Sequence, residues 1–231
     1  FTAKILNVDL LIHYGHSCLV PIDMKTNFKV LYVFVDIKID PLHFIDTIKS
    51  NFAINKKIGL ISTIQFISTL QFVSSELQEL NYSISVPQFK PLSPGEILGC
   101  TAPIIEDVDI IVYLGDGRFH LESVMIANPK LKAYRYDPYS KIFTQEYYDN
   151  DLMRSIRYDS ICKARSSGKF GIIMGTLGRQ GSPRVVDYLR KRIDYYQKKN
   201  IIILLSEIFP SKLDLFKGVS AFVQIACPRL S

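Results

Sequence analysis

The chain has 231 residues, of which 48% are hydrophobic and 22% charged, with a formal net charge of +6 and a pI near 9.0. This is a globular composition, with length enough for one large domain or two small ones. Its longest apolar runs, about seven residues, fall far short of the ~20 a membrane helix needs, and its Lys and Arg are scattered along predicted helices rather than gathered into a nucleic-acid groove.

Apolar, Ile- and Val-rich runs at 8–14, 28–36, 58–64, 108–114, 170–176, 201–206 and 220–226 predict strands buried on both faces, the mark of a parallel sheet. Helical stretches lie between them. Asp40-Pro41 caps one whose core face reads Leu42, Ile45, Ile48 and Phe52; the next carries Phe66, Leu70, Val73, Leu77 and Leu80 at helical spacing. A longer helix is expected over about 145–167. Ser182-Pro183 opens another, with Val186, Leu189, Ile193 and Tyr196 inward and Asp187 placed to pair with Lys191, and a short one at 210–217 ends at Gly218. Strands alternating with helices predict an α/β fold built from repeated small parallel-sheet domains. Residues 1–26 read as the end of one domain, 27–134 as a second and 135–231 as a third, with the boundary at Ala133-Tyr-Arg-Tyr-Asp-Pro138. The sequence opens on Phe1-Thr-Ala without Met and stops just after a strand-like run, so it is expected to be a piece of a longer protein.

Pro91-Leu-Ser-Pro-Gly-Glu-Ile-Leu-Gly-Cys100-Thr-Ala-Pro103 holds an S-x-x-E capping box at Ser93 and Glu96, with Pro94 at the first helical position. A short helical turn is expected there. Gly99 would leave it with a positive φ and Cys100 would sit on a tight turn, as ligand, nucleophile or bystander. The four cysteines, at 18, 100, 162 and 227, include no C-x-x-C pair, which excludes a zinc finger or thioredoxin motif and fits the reducing cytoplasm. Cys162 falls inside the long helix as a core residue, whereas Cys227, like Cys100, is loop-borne and followed by a breaker.

In parallel α/β sheets function gathers at loops after the strand C-termini. Gly175-Thr-Leu-Gly-Arg-Gln-Gly-Ser182 opens onto a helix start suited to a phosphate or carboxylate, with Arg179 adding charge, yet lacks the G-K-[ST] ending of a P-loop; it reads equally as a plain turn. Gly115-Asp-Gly-Arg-Phe-His120 fails the dinucleotide fingerprint. Asp116, Arg118 and His120 could hold a polar substrate there, or Asp116 could stabilise the turn and His120 begin a helix. His13 and His16 would form a metal site only with a partner carboxylate or a third His brought near in space.

Seven stretches in one order resemble a known family: Tyr14-Gly-His-Ser-Cys18, Pro91 to Thr101, Tyr113 to Ser123, Tyr136-Asp-Pro-Tyr-Ser140, Gly175 to Pro183, Leu205-Ser-Glu-Ile-Phe-Pro-Ser-Lys212 and Ala226-Cys-Pro-Arg-Leu-Ser231. They are similar to the diphthamide-forming 2-(3-amino-3-carboxypropyl)histidine synthases, in their eukaryotic subunit-one form. The resemblance implies a non-classical radical enzyme in which three related α/β domains surround a four-iron–four-sulfur cluster, each supplying one cysteine, with one iron left open for S-adenosylmethionine (SAM). An electron from the cluster would release a 3-amino-3-carboxypropyl radical that adds to a histidine of translation elongation factor 2. The expected partners are a paralogous second subunit, in a heterodimer, and an electron-donor protein. Carried over by motif, Cys100 and Cys227 are cluster ligands. The third ligand of the family lies before the segment matching Phe1-Thr-Ala3, and Cys18 is not expected to replace it. Arg118, His120, Arg179, Gln180 and Glu207 are candidates for the SAM pocket by loop position. Two readings compete: a catalytically silent scaffold subunit with structural cysteines, and an unrelated α/β enzyme binding an anion at 175–182.

Overall fold

The computed structural model describes residue 3 and residues 6–15, 28–90, 92–99, 102–176 and 181–226. They fall into two units, Phe1–Tyr148 and Asp149–Ser231. The first contains β1 (Leu10–Gly15), β2 (Lys29–Phe34), α1 (Pro41–Asn51), β3 (Lys57–Ser62), a 3-10 turn (Ile64–Phe66), α2 (Ile67–Glu79), β4 (Ser83–Ser85), β5 (Ile110–Leu114), α3 (Phe119–Ala127), β6 (Lys132–Asp137) and β7 (Ile142–Glu146). The second contains α4 (Asn150–Arg165), β8 (Lys169–Gly175), α5 (Pro183–Tyr195), β9 (Lys199–Leu205), α6 (Pro210–Leu213) and β10 (Ala221–Ile225).

The five-stranded sheet of the first unit runs β4-β3-β5-β6-β7, parallel except for the antiparallel β6–β7 pair. Its central strands are apolar on both faces because both are covered. On β5, Ile110, Val112 and Leu114 meet α1 and α2, while Ile111 and Tyr113 meet α3 and the 97–105 segment. Asp40 caps α1 as predicted, accepting a hydrogen bond from the Leu42 N–H at 3.1 Å. The expected face of α1 holds at Ile45 and Ile48, which are buried, but Leu42 is 65% exposed and Phe44 is buried in its place. Phe44 takes that place by stacking on Tyr136 at 4.6 Å between centroids.

The α/β class holds, and the domain limits shift. β2 pairs in parallel with β1 as a separate two-stranded sheet, so the run at 28–36 does not join the sheet of β3 and β5. The expected boundary at 134/135 falls inside β6, which returns through β7 to complete the larger sheet. Asp137-Pro138 is a hairpin turn, with Asp137 Oδ1 accepting from the N–H groups of Tyr139 and Ser140 at 2.9 and 3.2 Å. The chain leaves this unit only after Tyr148.

In the second unit a parallel three-stranded sheet runs β10-β8-β9, with α5 against β8 and β9. Asp149 caps α4, accepting from the Leu152 N–H at 2.8 Å. No residue of α4 is buried, and Cys162 is exposed rather than in a core. On α5, Val186 is buried but Tyr196 is 59% exposed, and Asp187 pairs with Arg190 at 3.6 Å instead of with Lys191.

Candidate functional site

Parallel strands put the ends of β3, β5 and β6 at one edge of the sheet, with Ser62, Leu114 and Tyr136 in register. The segment before Cys100 is tied to that edge. The Ser62 N–H donates to the Gly95 carbonyl at 2.8 Å, and the Ile97 N–H to the Ser62 carbonyl at 2.9 Å. Glu96 Oε2 accepts from the Ser93 N–H at 3.0 Å, which is half of the predicted capping box. No helix follows, because the next backbone groups bridge to β3 instead. The positive φ expected at Gly99 lies at Gly95, at +81°, where the chain folds over Leu60 and Leu70. Glu96 itself is 1% exposed, and its Oε1 has no partner among the described residues.

Helix α3 braces the described stretches that precede and follow Cys100 in sequence. Upstream, Ser123 Oγ donates to the Leu98 carbonyl at 3.4 Å, and the Phe119 ring occupies the place a side chain on Gly99 would need. Downstream, Asn128 accepts from the Ile105 N–H at 2.8 Å and donates to the carbonyls of Pro103 and Val124, each at 2.9 Å. Asn128 is 6% exposed, so these bonds form out of water's reach. Beneath the 115–118 loop, Tyr113 is fully buried. Burial pushes its phenol above the ordinary value, with Asp116 raising it further and Thr63 and Arg135 lowering it.

The residues expected to face SAM stand as follows. Arg118 caps the start of α3, and its guanidinium is taken up by protein groups: Nε by Glu122 at 2.9 Å, Nη1 by Glu146 at 3.1 Å and Nη2 by the Tyr147 carbonyl at 2.8 Å. His120 follows on α3, half-buried, its ring edge-on to Phe119 at 5.2 Å. Glu207, in the second unit, lies on the surface after β9, 3.8 Å from Lys212. Of the 175–182 loop, Thr176 donates its N–H to the Leu205 carbonyl at 2.9 Å, and Ser182 precedes Pro183 at the start of α5. Arg179, Gln180, Cys18, Cys100 and Cys227 lie outside the described residues. Among the described residues no three His, Cys, Asp or Glu side chains assemble as metal ligands, and no helix is long and apolar enough to cross a membrane. Sequence reasoning missed Ser123, Asn128 and Glu146. Asn128-Pro129 is legible as a helix stop, but nothing in the sequence says its amide reaches back to 103–105.

A family model described as "Putative diphthamide synthesis protein" matches residues 1–231. The chain is 58% identical to the 2-(3-amino-3-carboxypropyl)histidine synthase subunit 1 of Gallus gallus over 232 residues, covering 100% of this chain and 56% of the relative. It is 57% identical to that of Nematostella vectensis, covering 100% of this chain and 50% of the relative, and 55% identical to that of Homo sapiens, covering 100% and 53%. The chain thus spans about half the length of these curated relatives. Among solved structures, Dph2 from Pyrococcus horikoshii with a 4Fe-4S cluster superposes with a TM-score of 0.76 at 26% identity, covering 99% of this chain and 67% of that one. With its whole length matched and its fold shared, this chain belongs to the diphthamide synthesis protein family.

Proposed function

We propose that this chain is the part of a diphthamide-forming synthase that supplies two thiolate ligands, Cys100 and Cys227, to a 4Fe-4S cluster. The whole enzyme transfers the 3-amino-3-carboxypropyl group of SAM to a histidine of translation elongation factor 2. It works in the cytoplasm as a heterodimer with a paralogous second subunit, and an electron-donor protein reduces it. The observation that carries the reading is the bracing of 92–99 and 103–105 around Cys100, at the sheet edge of a chain whose structural relative holds such a cluster.

The donor set fits the group. Thiolates are soft ligands that suit iron–sulfur clusters. Cys100 directly follows the described stretch 92–99, and Cys227 comes two residues after β10 in sequence. When bound, the cluster supplies the electron that breaks the sulfonium carbon–sulfur bond of SAM. The chain's own residues bind and orient. Arg179, just ahead of the α5 N-terminus, meets the SAM carboxylate with charge and backbone N–H groups together, and Gln180, His120 and Glu207 serve the other polar groups. Glu96 fixes the turn ahead of Cys100 by accepting from the Ser93 N–H, and Asn128 ties 103–105 to α3.

In the intact enzyme reconstituted anaerobically with iron and sulfide, Cys100→Ser and Cys227→Ser should each lower bound iron and abolish the cluster's visible absorption. Cys162→Ser, on exposed α4, should change neither. Full iron in both of the first two variants would overturn the ligand assignment and favour a silent scaffold subunit.

A further inference from the structure

We propose that Arg118 is a positioning residue that latches the 115–120 loop to the place where the chain leaves the first unit, and that it does not contact SAM. The loop's sequence, with polar and charged residues among glycines at the end of a parallel strand, reads as a place for a polar substrate. The geometry points elsewhere, since all three guanidinium nitrogens already meet oxygen atoms, at 2.9, 3.1 and 2.8 Å.

The partners belong to three different pieces of backbone: Glu122 in the first turn of α3, Glu146 as the last residue of β7, and the carbonyl of Tyr147, next to the unit's end at Tyr148. Glu146 is the centre of the arrangement. Its side chain is 10% exposed; Oε2 pairs with Arg118, while Oε1 accepts from the Thr144 hydroxyl at 2.7 Å and lies 3.3 Å from Arg135 Nε as an ion pair without hydrogen-bond geometry. Arg118 is 43% exposed, and a lone ion pair at such a place is worth little. A carboxylate held in common by two arginines and a hydroxyl behaves differently, because removing one member strands the others. Turning Arg118 toward a ligand would break the pair to this nearly buried carboxylate. Only a planar fork reaches three such partners at once, which lysine cannot do.

The latch also reaches inward. Phe119, the next residue, lies over Gly99, one peptide bond from Cys100. Residues 118 and 119 therefore tie one loop to both the exit strand and the cysteine segment. The consequence for SAM rests on the function proposed above; the latch itself does not.

The test uses the intact subunit with Arg118→Lys, Glu146→Gln and the double variant. Hydrogen exchange is followed at 115–120 and 147–150, and SAM binding is measured anaerobically by calorimetry. Each single variant should speed exchange in both segments about tenfold and weaken SAM binding by a similar factor, and the double should be no worse than the more severe single. Exchange at the wild-type rate in Arg118→Lys would overturn the latch. Weakened SAM binding in Arg118→Lys alone, with Glu146→Gln unaffected, would make Arg118 a direct ligand. Faster exchange with unchanged binding would reduce it to a structural tie and remove the positioning role. A wild-type subunit that binds no SAM would sink the functional reading instead, and exchange would still decide the latch.

Discussion

Tyr113 and Tyr136 occupy neighbouring rungs of β5 and β6 with almost no exposed surface, and burial raises both phenols above their ordinary value of 10.0. At Tyr136 the carboxylates of Asp40 and Asp137 add to the effect, and its hydroxyl lies 2.8 Å from His43 Nδ1. Both rings are kept neutral in the fold, while in the unfolded chain they ionise near 10. The unfolded state therefore loses its protons first. The stability these phenols contribute is complete below pH 10 and falls as pH rises through their folded values, by up to about 1.4 kcal/mol per pH unit for each group. Urea midpoints of the chain should accordingly hold steady up to about pH 9 and drop above 10. Tyr113→Phe should flatten that drop, and an equally steep one in the variant would remove Tyr113 as its cause. Single residues were the least legible scale in the sequence. Arg118 looked like a SAM-pocket residue because its partners, Glu146 and the Tyr147 carbonyl, lie 28 and 29 residues away, where pattern reading does not reach. Cys162 looked like core because it sits within a helix, and α4 turns out to bury no residue.

Elements were legible wherever hydrophobic period and capping agreed. Asp40-Pro41 opened α1, Asp149 now caps α4, and the unbroken apolar runs of β3 and β5 announced strands covered on both faces. The elements missed were those whose order comes from elsewhere. β6 and β7 are short and rich in polar residues; they pair because the Asp137-Pro138 turn folds one onto the other and Phe143 stacks on Tyr134 at 5.5 Å. α3 was legible only as a helix that His120 could begin; its second task on the 98–105 segment was not. That second task rests chiefly on Asn128. Asn128→Ala would leave the Ile105 N–H and the Pro103 carbonyl buried without their partner, at roughly 1–3 kcal/mol for each group. The first unit should lose about 3 kcal/mol overall, read by urea denaturation. A loss under 1 kcal/mol would mean that water reaches this segment, and with it that α3 does not brace Cys100.

The two units of the molecule are unequal in core. Among the described residues, the first holds two clusters of buried side chains, one on each face of its five-stranded sheet. Among its described residues the second has Ile172, Ile173, Val186 and Ile203 as buried apolar side chains. Around them Leu152, Ile156 and Ile161 of α4, Tyr188 and Tyr195 of α5, and Leu204 of β9 are all more than half exposed. Burial contributes roughly 25 cal/mol per Å² of apolar surface, so the second unit has far less to set against the entropy of ordering its chain. Composition gave no hint of this, because Ile201-Ile-Ile-Leu-Leu205 is as apolar as any core strand. What exposes it is position: β9 is the edge of a three-stranded sheet, with α5 as the described helix against it. In the 231-residue polypeptide the amides of β8, β9 and α5 should therefore exchange at least about tenfold faster than those of β3 and β5, which open only with global unfolding of their unit. Mass spectrometry of exchanged peptides reads this directly. Equal protection across both units would show that they unfold as one cooperative body, and that the second draws its stability from the first rather than from its own few buried residues.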